Sequence, residues 1–323
     1  MDTVFQIILL IVGFVILIKG ADWLIDGASS TASHLKVSKL LIGLTIVAFG
    51  TGAPELAVSV TSLINGTTDM LLGNAIGSNV LNILLLIGIA TLIRPIKVKK
   101  DTIAKELPLL LLISTVLVVL FLDTLLTGSG INTISRADGI ICLLCFSIFI
   151  FYIISMAHKN RKDKKLIEKP KFKIGLSLLL VLIGLVGVVG GAQLVVSSAS
   201  TIARAIGISD RLISLTIIAI GTSLPELVTT IKAAKRNESE LLLGNIIGSN
   251  IFNICIVLGL PVALFGTITP ESFETIDLVM LVGSAAILLL LARSGHKITR
   301  FEGLAMLLLF IIYYIYLIYG VFV

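Results

Sequence analysis

The chain has 323 residues, 57% of them hydrophobic and 14% charged, with a formal charge of +6 and a mean hydropathy of +1.11. A soluble domain carries roughly 25% charged residues, so this composition excludes an ordinary water-soluble enzyme or binding module and makes the bilayer the solvent. The positive charge does not indicate nucleic acid, because the basic residues are scattered over polar breaks with no long arm or aromatic-basic module.

Apolar runs long enough to cross a bilayer, about 20 residues at a rise of roughly 1.5 Å each, recur along the chain. Ten helices are predicted, at 3–20, 37–63, 70–93, 105–122, 138–157, 174–199, 209–234, 241–266, 276–292 and 301–321. The first has Asp2 as its only charge before Lys19 and no basic segment ahead of it, which reads as a retained helix and not a cleaved leader. The second contains Gly50-Thr51-Gly52-Ala53-Pro54-Glu55, and the third contains Gly73-Asn74-Ala75-Ile76-Gly77-Ser78-Asn79. Between the fifth and sixth lies a strongly basic segment, 158–173. The seventh carries Gly221-Thr222-Ser223-Leu224-Pro225-Glu226, and the eighth carries Gly244-Asn245-Ile246-Ile247-Gly248-Ser249-Asn250. Cys142, Cys145 and Cys255 fall inside apolar runs, where a thiol packs as a small hydrophobe, so neither a disulfide framework nor redox chemistry is expected.

Residues 20–88 align without a gap on 191–259 at a constant offset of 171, with 28 of 69 positions identical. Shared apolar composition would not keep Gly20 with Gly191, Pro54 with Pro225 and Glu55 with Glu226 in register, so this is an internal repeat. Of the 25 Lys and Arg residues, 22 fall in the loops after predicted helices 1, 3, 5, 7 and 9, leaving Arg136, Arg204 and Arg211 for the other side. The positive-inside rule then makes 158–173 cytoplasmic and puts both termini outside. Five helices per copy force the second copy to enter from the opposite face. The expected fold is therefore an all-α membrane protein of ten transmembrane helices in two inverted five-helix repeats, 1–157 and 174–323, joined by the linker 158–173, the layout of alternating-access transporters.

Of nineteen Asp and Glu residues, only Glu55 and Glu226 lie near the middle of predicted helices, and they occupy equivalent repeat positions. A carboxylate at the bilayer centre costs about 2.5 to 3.5 kcal/mol on insertion scales. His34, His158 and His296 sit in or beside loops, and no Lys or Arg is near the midplane, so the counter-charge must come from a proton or a bound cation. Pro54 and Pro225 should free carbonyls one turn back, while Thr51 and Thr222 precede the acids by four residues. Asn74, Ser78 and Asn82, and likewise Asn245, Ser249 and Asn253, follow i, i+4, i+8 spacing and make a polar stripe through an apolar helix. This donor set holds oxygen only, which suits calcium, with sodium as its natural competitor, and not zinc or copper.

The Gly-Thr-Ser-Leu-Pro-Glu at 221–226 and the two Gly-Asn-x-x-Gly-Ser-Asn segments resemble the α-repeats of the sodium/calcium exchanger family, within the cation/calcium exchangers. That resemblance implies that Glu55, Glu226, Thr51 and Thr222 bind calcium. It implies sodium sites using the same carboxylates with Ser78, Ser249, Ser223 and the Ala48 and Ala219 carbonyls, and a central layer completed by Asn82 and Asn253. It also implies sliding of the first and sixth helices, no cofactor, no obligate protein partner and a cell (inner) membrane location. Two positions depart from the family pattern: Gly52 replaces a frequent hydroxyl residue, and Asn253 stands where some members have Asp. The competing readings are calcium/proton or potassium-dependent exchange, a cation channel, and an intramembrane hydrolase in which the two acids share a proton.

Overall fold

The computed structural model describes residues 3–66, 68–124, 128, 132–160, 169–206, 219–269 and 275–322. These are helical apart from a two-residue antiparallel ribbon, β1 (Ile96–Lys97) with β2 (Lys297–Ile298), and an isolated bridge between Ile134 and Ile268. The helices are α1 (Thr3–Leu35), α2 (Lys39–Thr51), α3 (Ala53–Ile64), α4 (Thr68–Ile93), α5 (Lys100–Phe121), α6 (Arg136–Asn160), α7 (Ile174–Ala205), α8 (Ala219–Thr222), α9 (Leu224–Lys235), α10 (Ser239–Phe265), α11 (Thr275–Gly295) and α12 (Arg300–Phe322). Among the described residues eight helices are long and apolar enough to cross a membrane, or nine if α2 and α3, bent by 44° at Gly52, form one span. The predicted start of the seventh helix, 209–218, and residues 161–168 of the 158–173 linker lie outside the described residues.

α1 was expected to end at residue 20 and instead runs to Leu35, and α7 continues six residues past 199. Both extensions are rich in Ala and Ser, too polar to score as a span but sterically suited to close helix packing. A Cβ at Gly20 would lie 2.7 Å from the Gly187 carbonyl carbon, and one at Gly191 would lie 2.5 Å from Leu17 N, so the backbones of α1 and α7 nearly touch along their length. Asp22 and Asp26 lie within this longer α1 and are ion-paired. Asp22 meets Lys232 at 2.9 Å and Arg236 at 2.9 Å, and Asp26 meets Arg236 at 2.6 Å and Lys171 at 3.1 Å.

α4 and α10 form the interior, with 72% and 83% of their most apolar windows buried, against 28% for α1 and 33% for α7. Glycines set this packing as well: a Cβ at Gly244 would lie 2.3 Å from Leu40 O, so α2 and α10 meet backbone to backbone. α5 breaks at Lys105, where Pro108 obstructs the carbonyl of Ala104 four residues earlier. α6 and α12 each begin with a reciprocal capping box. Ser135 N donates to Asp138 Oδ2 at 2.7 Å, and Thr299 N donates to Glu302 Oε2 at 2.6 Å.

Candidate cation site

Each repeat breaks its second helix at the same place. Gly52 (φ −79°, ψ 0°) separates α2 from α3, and Ser223 (φ −89°, ψ 5°) separates α8 from α9. Pro54 and Pro225 then occupy the first turn of a new helix, where a missing N–H leaves no bond unmade. The result is a helix N-terminus inside the protein, with Glu55 and Glu226 in its first turn, where the helix dipole favours negative charge.

Glu55 and Glu226 are each 1% exposed and close enough to repel one another electrostatically. Among the described residues neither forms an ion pair, and Oε2 of each has no hydrogen-bond partner. Four more buried oxygens in the same condition come from the predicted set: Ser223 Oγ, Ser249 Oγ, Asn82 Oδ1 and Asn253 Oδ1. Native proteins pair most such atoms, so these six oxygens call for an explanation, as do those of eight residues outside the predicted set, Thr230 and Asn79 among them. Among the described residues no group of three or more His, Cys, Asp or Glu is placed to hold a metal ion, so any cation here would rely on two acids and neutral oxygens.

Asn82 and Asn253 are presented from matching π-helical turns, Leu81–Leu86 in α4 and Asn253–Leu258 in α10. A π turn inserts a residue into the helix and re-aims side chains, a frequent device at functional sites. Thr51 is fully buried; its hydroxyl bonds back to Val47 O at 3.0 Å, lies 3.4 Å from Asn245 Oδ1 and interacts with the Glu226 carboxyl of the other repeat. Thr51 therefore reaches across the interface, and not simply along its own helix to Glu55 as the spacing suggested. Thr222 is partly buried, and Ser78 is 5% exposed. Ala48 O accepts Gly52 N at 3.0 Å, and Ala219 opens α8.

Three asparagines outside the predicted ligand set hold these groups in place. Asn74 donates to Glu55 O at 3.0 Å and to Ser59 Oγ at 3.1 Å, fixing the turn that carries the acid. Asn245, besides facing Thr51, donates to Thr229 Oγ1 at 3.4 Å. Asn250 Oδ1 accepts from Asn82 Nδ2 at 3.0 Å, a bond between the repeats. The polar stripe marked Asn74 and Asn245 in the sequence, but their partners lie on other helices and are invisible to spacing within one helix.

The profile of the family described as sodium/calcium exchanger protein matches residues 5–155 and 176–319. The chain belongs to the sodium/calcium exchanger family. It is 41% identical over 315 residues to the putative antiporter CaxA of Alkalimonas amylolytica, covering 95% of this chain and 96% of that protein. It is 36% identical to the inner membrane protein YrbG of Escherichia coli, covering 91% of each, and 30% identical to the sodium/calcium exchanger MaX1 of Methanosarcina acetivorans, covering 97% and 98%. A solved structure of the sodium-calcium exchanger NCX_Mj soaked with Na+ and Sr2+ superimposes with a TM-score of 0.83 at 35% identity, covering 96% of this chain and 98% of that one. As a member of this exchanger family, the protein is a multi-pass integral membrane transporter and not an enzyme, which removes the hydrolase reading.

Proposed function

We propose that this exchanger couples inward movement of sodium to outward movement of calcium by alternating access, the two ions competing for Glu55 and Glu226. The observation carrying this reading is a pair of fully buried carboxylates that act on one another electrostatically and form no ion pair among the described residues, together with buried, unpartnered oxygens of Ser223, Ser249, Asn82 and Asn253. Calcium accepts six to eight flexible oxygen ligands, and this donor chemistry fits it. In this reading Thr51 and Thr222 join the acids around calcium. Sodium uses the same carboxylates with Ser78, Ser249, Ser223 and the Ala48 and Ala219 carbonyls, while Asn82 and Asn253 complete the central layer. The names of MaX1 and NCX_Mj support the same ion pair.

Ten spans in two inverted repeats, 1–157 and 174–323, around a cytoplasmic linker 158–173 give the site two related exits, with both termini outside and the chain in the cell membrane. The break-and-proline construction at Gly52 and Ser223, the paired π turns and the paired capping boxes support this organisation, each repeat supplying one of each. So does the ribbon-and-bridge pair, in which each strand following α4 or α10 meets the entry to the last helix of the other repeat.

The test is calcium-45 uptake into proteoliposomes with imposed sodium, proton or potassium gradients. Uptake driven by an outward sodium gradient alone is the expected result; uptake that follows only the proton gradient, or needs potassium as well, would replace sodium coupling with one of the alternatives.

A further inference from the structure

Asp22 and Asp26, one turn apart on α1, meet Lys232 and Arg236, one turn apart at the end of α9, in a ladder of contacts at 2.6 to 2.9 Å. The segment leading into α7 joins the same cluster. Lys171 pairs with Asp26 at 3.1 Å, Phe172 N donates to Ser30 Oγ at 3.2 Å, and the Phe172 carbonyl lies 2.6 Å from His34 Nε2. Since α1 and α7 already pack backbone to backbone, the ladder ties that pair of helices to α9, the helix that carries Glu226 in its first turn. Between the acid and the ladder stands Thr230, one turn after Glu226, 1% exposed and with its hydroxyl unpartnered among the described residues.

The other repeat has no such ladder. The offset of 171 puts Gln193 and Ser197 of α7, and Thr61 and Asn65 at the end of α3, at the positions equivalent to Asp22, Asp26, Lys232 and Arg236. None of the four is charged and all are exposed, whereas Asp22, Asp26 and Lys232 are half-buried. The Thr61 hydroxyl turns back to donate to Ala57 O at 2.8 Å within its own helix. Two halves built alike in backbone are therefore fastened differently: α1 is pinned to α9 by ion pairs, and the matching side chains of α7 and α3 are left at the surface.

Resting on the alternating-access reading above, we infer that the ladder of Asp22, Asp26, Lys232 and Arg236 is a one-sided ionic latch, which holds the cytoplasmic exit from Glu226 shut and biases the ion-free exchanger toward its outward-open state. If α1 and α7 slide together over the remaining helices, opening the cytoplasmic side must break the ladder, while opening the outer side breaks no equivalent pairs. A ligand-independent preference of this kind shifts populations without touching the cation site. A single half-exposed pair contributes little, but several acting as a network should shift the balance by about tenfold.

The experiment uses the double variant Asp22→Asn with Asp26→Asn. An ion arriving from the cytoplasm binds only the inward-open fraction, so its apparent affinity scales with that fraction. Calcium half-saturation measured in everted membrane vesicles, which present the cytoplasmic face, should fall about tenfold, and that in right-side-out vesicles should change by less than about twofold. An unchanged value at the cytoplasmic face, or equal changes at both faces, overturns the latch. Hydrogen exchange supplies a reading that does not need transport: amides of residues 229–235 in α9 should exchange about tenfold faster in the variant, and those of 58–64 in α3 no faster. An equal rise in both segments marks a generally loosened fold and refutes the latch, as does an unchanged rate in α9. Wild-type vesicles with no sodium-driven calcium uptake would instead overturn the exchange reading, and this inference with it.

Discussion

Glu55 and Glu226 illustrate what a single residue can and cannot say from sequence. Their depth in apolar helices and the lack of a basic neighbour were legible, because a charge in mid-membrane conflicts with its surroundings and needs an explanation. Their cross-repeat companions were not, since the Thr51–Asn245 and Asn82–Asn250 pairs join residues 194 and 168 positions apart. Asn245→Ala removes the amide facing both Thr51 and Thr229, and the unmade buried bonds should cost about 1 to 3 kcal/mol, read as a lowered melting temperature in detergent. Asn253→Asp adds a third carboxylate beside the first two, so it should change the sodium concentration that half-inhibits calcium uptake; an unaltered value would remove Asn253 from the ion layer.

At the scale of elements, hydropathy located the spans but misjudged α1 and α7, whose last turns are built of small and polar residues that score as loop; in α1 that extension includes Gly27, where a Cβ would lie 2.7 Å from Ser177 O. The glycines themselves were visible in the sequence; which of them mark contact was not. Gly244→Ala places its methyl 2.3 Å from Leu40 O, so α2 and α10 must separate, and overpacking of this kind costs about 1 to 3 kcal/mol. Gly190 in α7 has open space around its Cβ position, and Gly190→Ala should be neutral or stabilise by up to about 1 kcal/mol through helix propensity. Thermal melts of the two variants decide between close contact and incidental glycine, since equal melting temperatures would contradict the packing described. The breaks at Gly52 and Ser223 were foreseen as proline kinks; the structure makes them fresh helix starts, a distinction that depends on where the preceding helix ends and not on proline alone.

For the molecule as a whole, the constant offset of 171 between the repeats made a two-part architecture readable before any coordinates, because glycine, proline, asparagine and glutamate stay in register where apolar composition alone would drift. The way the parts lock was not readable: the ribbon β1–β2 and the Ile134–Ile268 bridge pair segments with no sequence signature of partnership. The three-way ion cluster of Asp22, Asp26 and Arg236, tying α1 to the end of α9, was equally hidden. The proposed exchange rests on two buried acids that form no ion pair among the described residues, and calcium uptake by sodium-loaded proteoliposomes containing Glu55→Gln or Glu226→Gln tests that proposal most directly. Each variant should lose sodium-driven uptake while keeping a cooperative melt and normal elution from a sizing column; uptake at the parent rate in both variants would contradict the account.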